Sequence, residues 1–544
     1  MLNLNSTITD FNREEEESIT EITASNLGVS YINLAKTPIS SEIVILFQPK
    51  DLEKFLFIPY LKNGRKIKAG AVDPKEPALA AWLQELAEKR NFEFEVCKIS
   101  KSSFNDGLTE FKKVATESIA GQKPENDYIS KITDLQSIIP IVKTIPITEL
   151  LEIVIYGAFK FEASDVHLEP SENDFLIRYR IDGILQDIVL LPKHVYTQFL
   201  ARIMFLSGMK MDNVSKPQDG SLTVSFINGD AVDIRVSIMP STFGEAVVMR
   251  LLGREDTILP LDQFGFRDDA LSAIKEALSR SHGMILTSGP TGSGKSSTMY
   301  SVMLYLKKPD VKIITLENPV EFKISGIEQS PVFPGEGYEF SDGLRASLRQ
   351  DPDILMVGEI RDVETAEIAV QAAMTGHLLL STVHANSAPA VYVRLLQIGV
   401  KPFLLAGSIN LIMAQRLVRK ICPDCLEEYV PSDEEMALIL NKLEPIKNKL
   451  GAELQQKLTA HSFKISHGKG CSKCHNTGYH GRLIIIEYLV PNSIIENLVA
   501  KGGSIAEFEA AAISQGMITL EQDGLVKVLS GQTTIDEVER VAKN

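Results

Sequence analysis

The run Gly289-Pro290-Thr291-Gly292-Ser293-Gly294-Lys295-Ser296 has the residue types and the spacing of a phosphate-binding loop, G-x-x-x-x-G-K-[ST]. Glycines allow backbone N–H groups to curl around phosphate oxygens, and the amino end of the following helix adds its positive dipole. In such a loop Lys295 reaches the β- and γ-phosphates, and the hydroxyl of Ser296 holds Mg²⁺. We therefore expect a nucleotide site here, and we include Thr298 among its binding residues.

Apolar strands downstream end in carboxylates that could serve hydrolysis, which needs a group to position or deprotonate water. The strand Asp353-Ile354-Leu355-Met356-Val357-Gly358-Glu359 ends in Glu359 after an intervening glycine, which is the form of an atypical Walker B motif. Taken alone, Glu359 could instead cap the next turn. An earlier apolar strand, Ile313-Ile314, opens into an acidic loop that carries Glu317 and Glu321.

Two histidines, His377 and His384, flank the predicted buried strand that begins with Leu378-Leu379-Leu380. A lone histidine is more often a satisfied structural residue than a functional one. Two at the ends of one strand, with Thr382 and Asn386 nearby, favour a polar sensor close to the phosphates.

Four of the five cysteines form two C-x-x-C pairs, Cys422 with Cys425 and Cys471 with Cys474. Each pair can place two thiolates on one tetrahedral Zn²⁺, and two pairs complete a closed structural site. The insert between the pairs is long, and residues 434–458 indicate helices within it. Cys97 stands alone in a predicted strand and is expected to be a small buried apolar residue.

The elements that must hold these groups follow an α/β pattern. Residues 283–287 form a predicted strand before the phosphate loop and residues 297–306 a helix after it, and strands continue to alternate with helices as in a doubly wound parallel sheet. The chain of 544 residues is too long for one core, so we expect several domains. The predicted boundaries are 1–25 disordered, 26–112 a small α/β domain, 113–145 a polar linker, 146–252 a second α/β domain, 253–420 the P-loop core, 421–475 the tetracysteine module, and 476–544 a mostly helical region.

Local patterns give elements within the two leading domains. The first domain is predicted to have strands at 43–46 and 92–96 and an amphipathic helix at 78–90. In the second, alternation over 175–181 predicts a strand, and Asp182-Gly183 is a hairpin signal. A second hairpin is predicted from 222–226 and 231–237 around Asn228-Gly229-Asp230.

The formal net charge of −15 argues against a protein that mainly grips a nucleic-acid backbone, and we expect an ordinary solvated acidic surface. The most hydrophobic stretch, 138–159, is interrupted by Lys143, Pro146, Glu149 and Glu152, so we expect no transmembrane helix. The polar, acidic first 18 residues do not form a signal peptide. We expect a cytoplasmic protein whose membrane role is peripheral.

The order of these motifs resembles the Walker A motif, Asp box, atypical Walker B motif and His box of the type IV pilus assembly and type II secretion ATPases. The resemblance covers about residues 26–544, more weakly in the first domain. It extends to Ser164-Asp165-Val166-His167-Leu168-Glu169-Pro170, to Lys216-Pro217-Gln218-Asp219-Gly220, and to residues 344–353.

The resemblance implies a hexameric ring with a RecA-like core, a smaller PAS-like domain before it, and ATP in the cleft between them. It implies that Glu359 is the catalytic glutamate, that Glu317 and Glu321 are the Asp-box acids, and that His377 and His384 form the His box. Arg235 and Arg250 match arginines of the smaller domain that reach the γ-phosphate. Arg345, Arg349 and Arg416 match arginines near the nucleotide or the subunit boundary. For each arginine, a surface or ion-pair role stays open. The family also carries a tetracysteine zinc site, and its retraction ATPases lack both this module and the extra N-terminal domain.

Two positions depart from the family pattern. Asn318 stands where the Asp box usually has an aspartate, and Ser221 stands where an arginine usually follows Gln218-Asp219-Gly220. Because Asn318 cannot take a proton, the acid–base chemistry would depend more on Glu317 and Glu359. An alternative function is therefore a nucleotide-binding scaffold with impaired turnover.

The leading interpretation is a motor that works on an inner-membrane platform protein and associated cytoplasmic assembly proteins to polymerise pilin. The second is the type II secretion ATPase. A nucleic-acid translocase is disfavoured by the acidic charge. The first domain lacks a phosphate loop and the repeated motif with which some relatives bind a cyclic dinucleotide, so we expect a docking module.

Overall fold

The computed structural model describes residues 4–40, 43, 46–47, 49–63, 65–90, 92–120, 131–145, 147–210, 216–226, 231–252 and 258–542. Within these ranges the strands form four sheets, of three, six, seven and two strands. Short 3₁₀ turns lie at Leu34–Lys36, Leu261–Gln263, Pro334–Glu336 and Glu444–Lys449. None of the described helices combines the length and the apolar character needed to span a bilayer.

The first domain is a three-stranded sheet covered by helices. Strand β1 is antiparallel to β2, which is parallel to β3. The elements are α1 (Leu4–Leu27), α2 (Pro49–Phe55), β1 (Phe57–Asn63), β2 (Lys66–Ala71), α3 (Pro77–Arg90), β3 (Glu93–Lys98) and α4 (Lys101–Ala120). Strand β3 and helix α3 confirm the sequence prediction, and Cys97 is buried in β3.

Two predictions in this domain were wrong. Residues 1–25 were expected to be disordered, but helix α1 occupies all of this segment that the structure describes. The acidic run of α1 binds the amino end of α4. Glu16 accepts a hydrogen bond from the N–H of Lys101 (3.2 Å), and Glu17 accepts one from the hydroxyl of Ser100 (2.7 Å). Residues 43–46 were predicted to form a strand, but Ile43 is helical and Leu46 lies in a turn, while residues 44 and 45 fall outside the described residues.

The second domain is a six-stranded antiparallel sheet in the order β6-β5-β4-β9-β8-β7. Its elements are α5 (Leu135–Val142), α6 (Ile147–Lys160), β4 (Ala163–Pro170), β5 (Asp174–Ile181), β6 (Ile184–Pro192), α7 (Lys193–Leu206), β7 (Gln218–Ser225), β8 (Ala231–Ser241) and β9 (Gly244–Leu251). Asp182 (φ 48°) and Gly183 (φ 84°) make the predicted hairpin turn. The second predicted hairpin has its strands, but its turn lies outside the described residues.

The predicted linker, 113–145, is only partly a linker. Helix α4 extends to Ala120, and α5 buries Ile138, Ile141 and Val142 in the core of the second domain. The polar stretch 121–127 lies outside the described residues. Apolar spacing in α5 therefore attaches the end of this segment to the domain that follows.

The P-loop core has a seven-stranded sheet in the order β12-β11-β13-β14-β10-β15-β18, parallel except for the antiparallel edge strand β18. Alternate residues of β10 enter different hydrophobic clusters, with Met284 and Leu286 on one face and Ile285 on the other, so helices cover both faces. The elements are α8 (Asp268–Leu278), β10 (Gly283–Ser288), α9 (Lys295–Leu306), β11 (Ile313–Glu317), β12 (Glu328–Pro331), α10 (Phe340–Ser347), β13 (Ile354–Val357), α11 (Val363–Met374), β14 (Leu378–Val383), α12 (Ala390–Ile398), α13 (Pro402–Leu405) and β15 (Ile409–Ile421).

The C-terminal part is not separate from this core. Strand β18 pairs antiparallel with β15, from Ile412 opposite Leu489 to Ile421 opposite Tyr479. The segment predicted as mostly helical therefore begins with a strand of the core sheet. Helices follow as predicted, with a capping box at Ser504. The elements are β16 (Leu426–Tyr429), α14 (Asp433–Leu443), α15 (Ala452–Ala460), β17 (Ile465–Gly468), β18 (Tyr479–Leu489), α16 (Ser493–Lys501), α17 (Ile505–Ser514), α18 (Leu520–Leu529) and α19 (Ile535–Ala542).

Candidate functional site

The phosphate loop joins the end of β10 to the start of α9 and has left-handed backbone at Gly292 (φ 78°) and Gly294 (φ 87°). Gly289 also has positive φ, and a Cβ there would lie 2.5 Å from the Ser293 hydroxyl oxygen and 2.6 Å from the Gln415 carbonyl oxygen. The glycine at this position is therefore required by close packing as well as by conformation. The loop has the strand–loop–helix context that the sequence predicted.

The Lys295 ammonium folds back over the loop, donating to the carbonyls of Gly289 (2.8 Å) and Pro290 (3.0 Å). Burial lowers the pKa of Lys295, and the negative charge of Glu359 opposes that shift. The lysine and the candidate catalytic glutamate thus share one electrostatic environment. Ser296 is exposed in the first turn of α9, where its hydroxyl oxygen is accessible to a hydrated cation.

Glu359 lies just beyond β13, at the edge of the sheet where the phosphate loop also lies, because β10, β13 and β14 are parallel. Its Oε2 is 2.6 Å from Nε of Arg361 and 3.4 Å from Nε2 of His384. Glu359 of the predicted Walker B motif and His384 of the predicted His box are therefore neighbours. Sequence analysis missed Arg361, although it lies only two residues from Glu359.

The two acids of the loop after β11 differ in their surroundings. Glu317 is 4% exposed, and its carboxylate accepts hydrogen bonds from the hydroxyls of Tyr300 and Thr315 (the latter at 2.5 Å) and from Gln329 Nε2 (3.1 Å). Glu317 thus ties β11 to α9. For Glu321, burial raises the pKa of the carboxyl, while Arg235 and Arg250 act against this rise.

Arginines of the second domain approach this loop. Arg235 of β8 donates to the carbonyl of Val320 (3.5 Å), across the boundary between the second domain and the core. Burial lowers the pKa of Arg235, and Glu321 opposes the shift. Arg250 lies opposite Arg235 in register on β9, but its Nε is 2.8 Å from Oδ1 of Asp165 in β4. Arg235 therefore contacts the core, whereas Arg250 is held by an ion pair of its own domain.

Other predicted residues are placed differently. His377 lies at the opposite end of β14 from His384, with its Nδ1 3.1 Å from the Ala372 carbonyl, so the two histidines do not meet near the phosphates. Arg345 is half exposed and pairs with Glu364 (2.5 Å), and Arg349 donates to the Arg345 carbonyl (2.9 Å).

Arg416 is buried beside the loop, where its guanidinium donates to the carbonyls of Gln415 (3.1 Å) and Asn386 (2.9 Å). Thr298, predicted to bind nucleotide, is fully buried, and its hydroxyl donates to Gln415 Oε1 (3.1 Å) inside the core. Sequence analysis missed Gln415. The available signal was a polar amide in the otherwise apolar run Leu411-Ile412-Met413-Ala414.

The four cysteine sulfurs converge, all within 4.8 Å of one another. The Sγ–Sγ distances are 3.8 Å for Cys422–Cys471, 3.8 Å for Cys425–Cys474 and 3.7 Å for Cys471–Cys474. A tetrahedral Zn²⁺ with Zn–S bonds of ~2.3 Å needs edges of ~3.8 Å, so these residues fit that ion. Burial would raise the pKa of Cys474, but N–H donors from Cys471 and Gly478 lower it to about 7.

Comparison with family models matches residues 142–540 to the type II/IV secretion system protein family. The chain is 36% identical over 529 residues to the type IV pilus assembly ATPase PilB of Myxococcus xanthus, covering 96% of this chain and 91% of that protein. It is 39% identical over 429 residues to the type II secretion system protein E of Xanthomonas campestris, covering 79% and 72%. The ATPase DotB of Legionella pneumophila has a similar fold, with a TM-score of 0.52 at 20% identity over 72% of this chain and 94% of that one.

Proposed function

The chain belongs to the family of type II/IV secretion system proteins, and from that premise we propose that it is a hexameric motor that assembles type IV pilin at the inner membrane. It is an ATP hydrolase of this family. The single observation that carries the catalytic assignment is that Lys295 follows β10 and Glu359 follows β13 at the same edge of the parallel sheet.

The residues divide the chemistry among them. Backbone N–H groups of residues 291–296 and the Lys295 ammonium bind the phosphates, while Ser296 would hold Mg²⁺, which supplies charge neutralisation when bound. Glu359 orients the attacking water and accepts its proton. His384 and Arg361 hold the carboxylate of Glu359 in place.

The second domain supplies positive charge to the γ-phosphate. Arg235 already reaches the core loop at Val320, and a small rotation of the domain would move its guanidinium relative to the nucleotide. Delocalised positive charge matters most as the transition state forms. We propose that this dependence couples hydrolysis to domain motion around the ring.

Pilus assembly is favoured over type II secretion by how far each resemblance extends. The PilB proteins of M. xanthus and Pseudomonas aeruginosa match 96% and 97% of this chain, which includes its first domain, whereas the X. campestris secretion protein matches 79%. On this basis the partners are an inner-membrane platform protein and associated assembly proteins, and the protein is cytoplasmic and peripheral to the membrane. The secretion ATPase is the second candidate.

The test is Mg²⁺-dependent phosphate release by the purified chain, together with its mass in solution and restoration of surface pili in a strain that lacks its pilus assembly ATPase. Hydrolysis by a hexamer that restores pili supports the proposal. Nucleotide binding without turnover would instead support a scaffold, the alternative that Asn318 motivates. Restored secretion without pili would favour the secretion ATPase.

A further inference from the structure

A buried amide beneath the phosphate loop has no place in the catalytic scheme above. Gln415 lies in β15, the strand next to β10, and its side chain is completely excluded from solvent. A fully buried polar side chain is retained in a core only where its hydrogen-bonding groups have partners. Both polar atoms of Gln415 have partners, and both partners belong to the phosphate loop or to the helix that follows it.

Gln415 lies against the first residue of the phosphate loop and against its last turn. Nε2 donates to the carbonyl oxygen of Ser293 (3.0 Å), and Oε1 accepts from the Thr298 hydroxyl (3.1 Å). Its backbone oxygen lies 2.6 Å from the position of a Cβ on Gly289, and Nε2 lies 3.3 Å from one on Gly294. One residue thus lies against both the start of the loop, at Gly289, and its end, at Ser293 and Gly294.

The bond to Ser293 fixes the direction of a peptide group. In a trans peptide the C=O of one residue and the N–H of the next point in opposite directions. With the Ser293 carbonyl directed toward the interior at Gln415, the N–H of Gly294 is directed away from it, toward the mouth of the loop where phosphate oxygens bind. The reversed peptide would present a carbonyl to the phosphates and repel them.

We propose that Gln415 is a positioning residue that holds the Ser293–Gly294 peptide in the phosphate-binding orientation, with Thr298 fixing the rotation of the amide. The inference rests on the proposed nucleotide site, but not on turnover. Thr298 thereby acts on the nucleotide only through Gln415.

The same strand supplies a matched control. Asn410 is a second buried amide of β15, at the other end of the strand from the loop, and its Nδ2 donates to the carbonyl of His282 (2.7 Å). Replacing Gln415 by Met or Asn410 by Leu removes one amide-to-carbonyl bond of the same kind from the same strand. Only the first removes it from the phosphate loop.

The experiment is calorimetric binding of Mg-ADP and Mg-ATP to the full chain, alongside unfolding temperature and the separate values of kcat and KM. Gln415→Met should weaken binding of both nucleotides roughly 10-fold or more, which corresponds to ~1.4 kcal/mol, while Asn410→Leu binds as wild type despite a similar fall in unfolding temperature. Thr298→Val should weaken binding, and Thr298→Ser, which keeps the hydroxyl, should restore it.

Equal losses in the Gln415 and Asn410 variants would overturn the inference, because they would reflect general destabilisation. Wild-type affinity in Gln415→Met would overturn it directly. If Gln415→Met does not fold, the Val and Ser variants of Thr298 decide, and equal affinities for the two would overturn it. If the wild-type chain binds nucleotide but does not hydrolyse it, the proposed motor function is wrong. The role of Gln415 can still be tested in that case, because its test measures nucleotide binding.

Discussion

At the scale of single residues, the phosphate loop and Glu359 are held by side chains that lie outside their own motifs. The roles of Lys295 and Ser296 could be predicted from eight consecutive residues, because all the residues that define a phosphate-binding loop are adjacent in the sequence. Arg361 and Gln415 contact the site through side-chain geometry, which the motif does not encode. The separation of His377 from His384 could have been foreseen, since a six-residue strand spans about 20 Å.

Glu359→Gln should bind ATP with Mg²⁺ but turn it over roughly 10²-fold or more slowly, because the amide cannot accept the proton of water. Lys295→Ala should lose nucleotide affinity itself, since it removes the cation that the phosphates meet. Phosphate release and nucleotide binding, measured on both variants, separate the two effects. Near-normal turnover in Glu359→Gln would remove that residue from the catalytic role.

Arg235 and Arg250 should respond differently although the family pattern groups them. Arg235→Ala should lower kcat more than it weakens nucleotide binding, because its charge is needed as negative charge develops on the γ-phosphate. Arg250→Ala should also lower the free energy of unfolding of the second domain, because it removes the closest cation from the carboxylate of Asp165, whose side chain is 6% exposed. That carboxylate would keep the hydroxyl of Ser164 (2.8 Å) and a longer contact to Arg180 (3.7 Å). Kinetics combined with denaturant unfolding tests this. Equal stability of the two variants would show that the Asp165 pair is not structural.

At the scale of elements, hydrophobic patterns located strands but not their partners. Strand β18 pairs with β15 across a long insert, so no short window of sequence indicates that it completes the core sheet. The same ladder explains where the cysteines lie. Cys422 follows the last residue of β15, and Cys471 and Cys474 lie shortly before the first residue of β18. The four-cysteine cluster therefore lies where the end of β15 meets the start of β18.

One zinc per chain is expected, bound by Cys422, Cys425, Cys471 and Cys474. Cys474→Ser should lower metal content and stability, because Cys474 is a predicted ligand whose sulfur also accepts the N–H groups of Cys471 and Gly478. Elemental analysis and thermal unfolding of the purified protein measure this. Cys97→Ser is the control, since Cys97 lies in the first domain and should leave the zinc content unchanged. Full metal content in Cys474→Ser would refute the ligand set.

At the scale of the whole molecule, the first domain has its own hydrophobic core, and an aromatic pair joins it to the second domain. Tyr60 of β1 packs against Phe205 of α7, with ring centroids 5.8 Å apart. Helix α4, whose Phe111 is fully buried in the first domain's core, continues to Ala120 and so passes the predicted boundary at residue 112. A cut within 121–130 respects the domain, whereas one at 112 divides a helix.

Deleting residues 1–125 should leave basal ATP hydrolysis largely intact and abolish recruitment to the membrane in cells, because the nucleotide site is built from the second domain and the core. The Phe205→Ser change in the truncated chain should improve solubility by removing the newly exposed ring. Fractionation of cells and steady-state hydrolysis are the measurements. Loss of hydrolysis on deletion, or micromolar binding of cyclic di-GMP to the isolated first domain, would contradict a docking role.

The late position of β18 has a consequence for synthesis of the chain. A ribosome adds about 5 to 20 residues per second, so the roughly 60 residues between the end of β15 and the start of β18 take about 3 to 12 s to make. Throughout that interval the apolar strand β15 has an open edge, the kind of surface on which nascent chains pair with one another. The core sheet is therefore completed only after β18 has been synthesised, and until then β15 can pair with a strand of a neighbouring nascent chain on the same polysome.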